Sequence, residues 1–249
     1  MGKIVISTNV SLDGVVQDPD GEEGFRLGGW FVQDGGQDLE EWGKVEYDEA
    51  LRTEALLLGR RSDEWFGTRW ASRPGEWADR LNGLPKYVVS ATLADPRWTN
   101  VTVLKGDVVD EVTRLKQELD GDIVVYASYQ LGRTLIEHDL VDELRLFVFP
   151  VVLGGGERLF GETSDKKPIR LVGSRTVVTA SSSSPTRSSE ATSYRCVDAG
   201  GRAPSPGVTG RHPARLITRA GWRRLPRRHA DRNHRDVKGI HHGNQGTRK

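Results

Sequence analysis

The chain has 249 residues, 36% of them hydrophobic, and a net charge of +1 that hides two unlike parts: from Ser181 onward 15 Lys and Arg stand against 4 Asp and Glu, and before it 21 stand against 31. The single cysteine, Cys196, lies in the basic part, so the acidic part can hold neither a disulfide framework nor a thiolate metal site, as suits a reducing compartment. The opening "MGKIVISTNVSLDG" has no apolar stretch of signal length and no run approaches the ~20 residues of a membrane span, so the expectation is a soluble cytoplasmic domain with no membrane partner.

In chain order, "KIVISTNV" at 3–10 reads as a buried strand, and "LEEWGKVEYDEALRTEA" at 39–55 as a helix with Leu39, Trp42, Val45 and Leu51 at helical spacing. "LLLG" at 56–59, "KYVVS" at 86–90 and "VTVL" at 101–104 read as short strands, with "DPRW" as a turn between the last two. "DVVDEVTRLKQEL" at 107–119 places Val108, Val112, Leu115 and Leu119 on one helical face. "DIVVYAS" is a fifth strand, "YQLGRTLIEH" a helix, "DELRLFVFPVVLG" a long strand interrupted by Pro150, and "RLVGSRTVV" starts another strand. Strand and helix in alternation predict an α/β fold with a mostly parallel sheet, helices on both faces, and ligands at the carboxyl ends of the strands.

Three strand ends offer anion contacts. After "LLLG" come Arg60, Arg61 and Ser62, two guanidiniums and a hydroxyl at the start of a helix, although arginines after a strand are often only solvated surface. Ser90 and Thr92 follow "KYVV" and suit either a second phosphate or a turn cap. "ASYQLG" after "DIVVY" is a small-residue turn into a helix, where a pyrophosphate meets backbone amides, but Ala127 and Ser128 stand where a GxGxxG motif would have glycine. Together the three suggest a phosphorylated cofactor laid across the sheet edge.

"SLDGVV", "ALLLGRRS", "LPKYVVSATL", "LGRTLIEHDLVDELRLFVFPVVLGGGERLF" and "IRLVGSRT" resemble, in that order, the dihydrofolate-reductase-like family that includes the reductase domain of the riboflavin-biosynthesis protein RibD. The resemblance covers nearly all of residues 1–177 and implies a dihydrofolate-reductase-like fold and an NADPH-dependent reduction related to riboflavin biosynthesis. It places Gly59, Arg60, Arg61 and Ser62 at the cofactor phosphates, Ser90 and Thr92 at the adenosine side with its 2′-phosphate, and Ala127, Ser128, Tyr129, Gln130 and Leu131 at the pyrophosphate. "SLDG", with Asp13 and Gly14, falls beside the nicotinamide. Ala127 departs from the family pattern, in which glycine is common there.

A reductase also needs a proton source and a wall for its substrate. Asp13 is the leading candidate for an acid or substrate-orienting role, with a plain Asp-Gly turn as the alternative. Trp30, Trp65 and Phe66 are candidates for a flat wall against a pteridine, pyrimidine or similar ring, or else for core. Asp48 and Glu49, on the helix before the second strand, fall where folate reductases keep an acidic residue, and spacing does not decide which of them faces inward. "VLGGGERLF" at 152–160 places Gly154 and Gly155 directly after a strand, as a site wall or a flexible loop.

The favoured reading is an NADPH-dependent reductase of a small heterocycle, working as a homodimer, with residues 1–177 as its domain. Nucleic-acid binding through "RHPARLITRAGWRRLPRRHADRNHR" is an alternative that lacks the periodicity of a recognised module, and a non-catalytic homodimeric scaffold is a third. The tail, 178–249, is expected to be disordered and to have no evolved function. The serine run at 181–184 suggests a reading frame shifted by loss of one nucleotide near Val177: restoring the frame turns TCN serine codons into NTC, which encodes only Phe, Leu, Ile or Val, and supplies the final apolar strand the sequence otherwise lacks. A natural basic extension is the alternative.

Overall fold

A computed structural model describes residues 1–35, 39–177 and 189–196. The order of elements is β1 (Lys3–Ser11), α1 (Trp30–Gly35), α2 (Leu39–Arg52), β2 (Thr53–Gly59), α3 (Arg60–Trp70), α4 (Glu76–Gly83), β3 (Lys86–Val89), β4 (Val101–Leu104), α5 (Val108–Glu118), β5 (Asp122–Tyr126), α6 (Tyr129–Glu137), β6 (Glu143–Phe149), β7 (Ile169–Val177) and β8 (Ser189–Cys196). One sheet has the order β4-β3-β2-β5-β1-β6-β8-β7. Each pairing from β4 through to β6 is parallel, and β8 runs antiparallel to both β6 and β7.

The central strands carry continuous apolar runs, 4–6 in β1, 55–58 in β2 and 123–126 in β5, because helices cover both faces. On one face Ile4 and Ile6 of β1, Leu57 of β2, Ile123 and Val125 of β5 and Leu144 of β6 pack with Val112 and Leu115 of α5 and Leu131 and Leu135 of α6. On the other, Val5, Leu56, Leu58, Val88, Val124 and Tyr126 pack with Ala50 of α2, Trp70 of α3 and Ala78 and Leu81 of α4. The period-two alternation of a strand thus sorts one apolar run into two cores. α5 starts where Asp107 accepts the backbone N–H of Val109 and of Asp110, at 2.8 and 3.2 Å.

The strand interrupted at Pro150 is β6, which stops at Phe149, because proline has no N–H to give the ladder. Two expectations change. The helix read over 39–55 ends at Arg52, and Thr53 already begins β2. A final strand does exist: Ser189–Cys196 lies between β6 and β7, pairing Glu143 with Arg195 and Ile169 with Cys196. Its main-chain ladder runs along both β6 and β7 although its sequence holds no apolar run of the kind the sequence reading looked for. The missing strand therefore no longer argues for a shifted frame, and the rest of the expected tail, 178–188 and 197–249, lies outside the described residues.

Candidate active site

With the order β4-β3-β2-β5-β1-β6 all parallel, the carboxyl ends Val89, Gly59 and Tyr126 fall side by side, and a cleft of about 530 Å³ follows them over the top of the sheet. At one end it is lined by Gly59, Arg60, Arg61 and Ser62 of the β2–α3 turn and by Ala127 through Leu131 of the β5–α6 turn. Both helices entering this end lack a side-chain cap at their N-caps, Gly59 and Ser128, in contrast to α5. The first amides of α3 and those of Gln130 and Leu131 in α6 are thus left for a ligand, with the positive ends of both helix dipoles behind them, whereas the Tyr129 N–H donates to the Ala127 carbonyl at 3.1 Å. Ser128 does not cap because its hydroxyl is used elsewhere: it lies 2.8 Å from Ser62 Oγ and 3.0 Å from the Tyr126 carbonyl, and accepts the Gly59 N–H at 3.0 Å. Ser62 and Ser128 therefore join the two turns to each other, and Ser62, buried and engaged, is a support for the phosphate end more than a free ligand.

Arg60 and Arg61 keep exposed guanidiniums whose nearest carboxylates are Glu64 at 3.6 Å and Glu23 at 3.8 Å, loose contacts that an incoming phosphate displaces at little cost. Ala127 is exposed and left-handed, with φ of 51°, a conformation that favours glycine. Ser90 follows Val89 at the cleft but caps its own turn, accepting the N–H of Thr92 at 3.4 Å and of Leu93 at 3.1 Å, and neither Ser90 nor Thr92 lines the cleft.

The other end passes over the sheet edge onto the face covered by α2, α3 and α4. Its lining is aromatic: Phe31, Trp42, Trp65, Phe66, Trp70 and Trp77, with Phe31 and Trp42 edge to face at 4.8 Å. Trp42 Nε1 donates to Asn9 Oδ1 at 3.0 Å, fixing that ring over β1. Within this apolar lining stands Glu46 of α2, 7% exposed, with no hydrogen-bond partner among the described residues. Burial first, and then the charge of Glu49, push its pKa well above the carboxylate range, while Arg145 pulls it down. Ser7 Oγ and Trp77 Nε1 are buried without partners as well, and both residues line the same end. An apolar pocket holding several unpaired polar groups is shaped for a ligand that supplies the missing partners.

Behind Glu46 lies an ionic cluster. Glu49 accepts the Tyr126 hydroxyl at 3.0 Å and Arg145 Nη1 at 3.0 Å, and Arg145 also binds Asp122 at 2.8 Å and Glu143 at 2.9 Å. Burial and the carboxylates at Glu46 and Glu49 push the Tyr126 phenol up.

Several sequence candidates sit elsewhere. Asp13 does not line the cleft; it accepts the Ser11 hydroxyl at 2.7 Å and the N–H groups of Leu153 and Gly154 at 3.1 and 2.9 Å, and these bonds hold its carboxyl down at about 2. Asp13-Gly14 is thus the turn alternative, with Gly14 at φ 85°. Gly154 and Gly155 belong to the loop folded onto that turn and are not in the cleft wall. Trp30 is 2% exposed, packs edge-on to Phe149 at 5.6 Å and is a core residue. Asp48 is exposed on the outer face of α2. Trp65 and Phe66 do line the cleft.

The model of the RibD C-terminal domain matches residues 2–182. The chain belongs to the RibD C-terminal domain family. Among curated relatives, "Uncharacterized protein YyaP" of Bacillus subtilis (strain 168) is 27% identical over 179 residues, 70% of this chain and 88% of that protein. "Uncharacterized protein YwjB" of the same organism is 27% identical over 174 residues, 70% of this chain and 91% of that one. A crystal structure of a "Putative riboflavin biosynthesis protein" from Shewanella sp. PV-4 superposes with a TM-score of 0.60 at 22% identity, covering 78% of this chain and 99% of that chain. Dihydrofolate reductase from Enterococcus faecalis, complexed with NADP(H) and RAB-propyl, superposes with a TM-score of 0.51 at 15% identity, covering 79% and 97%. These likenesses show that this RibD C-terminal domain has the dihydrofolate-reductase-like fold.

The sequence reading missed Glu46, Trp42, Trp77, Asn9 and Ser7. One signal was present: on α2, Trp42, Glu46, Glu49 and Ala50 follow i, i+4, i+7, i+8 spacing, so two carboxylates ride on the stripe that faces the sheet.

Proposed function

We propose that this protein is an NADPH-dependent reductase of a small flat heterocycle. The observation that supports it most is the two-ended cleft: two uncapped helix N-termini and two arginines at one end, an aromatic pocket around the buried Glu46 at the other. The residues fit the cofactor by this test: Arg60 and Arg61 would hold its phosphates as guanidinium forks, and the free amides of Gln130 and Leu131 in the first turn of α6, flanked by Ala127, Ser128 and Tyr129, would hold the pyrophosphate. Ser90 and Thr92, beside Val89, remain the proposed contacts of the adenosine side. When bound, the cofactor supplies a hydride.

The chain supplies the rest. Trp42, Trp65, Phe66 and Trp77 exclude water and sandwich a planar ring. Glu46, carrying its proton in the pocket, donates to a ring nitrogen or carbonyl oxygen of the substrate, so that a C=N or C=O bond gains hydride at carbon and a proton at the heteroatom. Asn9 fixes the Trp42 ring. The proton role thus passes from Asp13 to Glu46. A second copy of the chain is proposed to cover the outer strand β7, where Ile169, Leu171 and Val172 are exposed.

Four of the seven tryptophans line the cleft, so tryptophan fluorescence reports binding directly. Saturable quenching by NADPH and much weaker quenching by NADH, followed by loss of NADPH absorbance with one of a panel of pteridines, pyrimidines and related heterocycles, is the expected result. No quenching by either dinucleotide refutes the reading and leaves the scaffold alternative. The nucleic-acid alternative rests on residues 211–235, which lie outside the described ones.

A further inference from the structure

Glu46 and Glu49 lie one turn apart on α2, both buried and both turned toward the sheet, but they are treated oppositely. Glu46 faces the cleft and has no hydrogen-bond partner among the described residues. Glu49 is gripped at both oxygens, by the Tyr126 hydroxyl from β5 and by Arg145 from β6. Arg145 is itself fixed by Asp122 at the start of β5 and Glu143 at the start of β6, so the cluster is anchored to three elements. It lines a second cavity, of about 460 Å³, that also contains Arg52 and Arg175 and does not include Glu46.

We propose that Glu49 is the positioning residue of the site: a fixed negative charge, pinned from behind by Arg145 and Tyr126, that makes Glu46 keep its proton until the substrate takes it. The inference rests on the reading of Glu46 as the proton donor. Two carboxylates this close in a dry region resist sharing ionised states, and the one bound to a guanidinium is the one that carries the charge. The direction found for Glu46, upward through burial and Glu49, agrees with that geometry. The charged and titratable groups facing the pair are Tyr126 and Asp122 from β5, Arg145 and Glu143 from β6, Arg52 of α2 and Arg175 of β7 around the second cavity, and across the cleft Asp18, Asp20 and Glu23 from the β1–α1 loop with Arg60 and Arg61 from α3. Arg145 is the cation that acts on Glu46 directly, so its removal and that of Glu49 must push Glu46 in opposite directions.

That opposition is the test. The full chain, labelled with carbon-13 at the glutamate carboxyl, is titrated by NMR without cofactor or substrate, and the Glu46 resonance is assigned by its loss in Glu46→Gln. In Glu49→Gln, which keeps an oxygen for Arg145, the Glu46 midpoint is expected to fall by about one pH unit or more, a tenfold weaker hold on the proton. In Arg145→Gln it is expected to rise, and in Tyr126→Phe, which removes a neutral donor only, to stay. A Glu49→Gln midpoint within about 0.3 pH unit of wild type overturns the proposal, and so do Glu49→Gln and Arg145→Gln shifts of the same sign, which general loosening of the pocket would give. Should Glu49→Gln not fold, Glu49→Met, which removes the charge and keeps the volume, is titrated in its place under the same criterion. Because neither NADPH nor turnover is read, failure of this test and failure of the reductase reading are separate results.

Discussion

The two ends of the cleft are built from different materials. The arginine end is mostly backbone and exposed charge: helix amides, a left-handed Ala127, guanidiniums only loosely paired with Glu64 and Glu23. The Glu46 end is side chain and burial: four tryptophans and two phenylalanines from the four helices α1 to α4, around polar atoms without partners. Charge in water is weakly felt and easily screened, whereas the same charge buried in an apolar lining is screened far less. Losses on the first side should therefore be graded and salt-sensitive, and losses on the second abrupt.

The largest expected effect is at Glu46. With a substrate in hand, Glu46→Gln should lower turnover by about 10² to 10⁴, the usual worth of a positioned acid, while leaving NADPH quenching near wild type. In wild type the rate should fall as pH rises through the raised Glu46 value, because the carboxyl must hold a proton to give one. Stability follows the same sign. A carboxyl whose folded pKa is raised contributes stability that is fully present below its unfolded value and is lost as pH rises through the folded one. Glu46→Gln should accordingly flatten the alkaline side of the stability profile, seen in denaturation midpoints at several pH values. Turnover that survives the substitution would erase the contrast between the two ends.

Next is the arginine pair. Arg60→Ala with Arg61→Ala should weaken NADPH binding tenfold or more, since a charge-assisted hydrogen bond is worth about 1.5 to 3 kcal/mol. The residual affinity should lose much of its dependence on salt. Unchanged affinity in the double variant would remove the phosphate assignment at that strand end.

The same contrast explains what the sequence disclosed. Strand ends followed by helices are local features, so Gly59 to Ser62 and Ala127 to Leu131 could be located from the strand-helix alternation alone, and the parallel order followed from the same pattern. The Glu46 pocket depends on how α2 is rotated about its axis and on where α4 packs. Glu46, Asp48 and Glu49 look alike in a string, and the difference among them is 7% exposure for Glu46 and Glu49 against an exposed Asp48. Asp13 misled because its motif is local while the role given to it was not: a turn between β1 and the 151–154 loop satisfies every oxygen it has to offer. β8 escaped because "SEATSYRC", with only Ala191, Tyr194 and Cys196 among its polar residues, has no apolar period to report it.

Asp13→Asn sharpens that reassignment with a smaller effect. It keeps one oxygen for the Ser11 hydroxyl or the Leu153 amide and should leave turnover within about threefold of wild type, far from the loss expected of a positioned acid. Its carboxyl is held down at about 2 by the Ser11 hydroxyl and the Leu153 and Gly154 amides, against an ordinary 3.8. A depressed folded value means stability present above about 4 and lost as pH falls toward 2, so the variant should lose part of the acid limb of the stability curve. A collapse of turnover in Asp13→Asn with Glu46→Gln still active would return the acid role to the turn.

The smallest expected effect is at Ala127. A residue with a Cβ at φ 51° pays about 1 to 2 kcal/mol for the left-handed region, and glycine does not. Glycine in turn loses about 0.5 to 1 kcal/mol through the greater freedom of its unfolded chain, so Ala127→Gly should stabilise the protein by about 1.5 kcal/mol at most. The exposed methyl sits at the mouth of the α6 turn, where the proposed pyrophosphate contact is made through backbone amides, so on that proposal NADPH affinity should rise a few-fold in the same variant. Calorimetry and fluorescence titration read the two effects separately. A stability gain without an affinity gain would mean that the methyl does not stand in the cofactor's way, and a loss of both would mean that it packs against something the cleft needs.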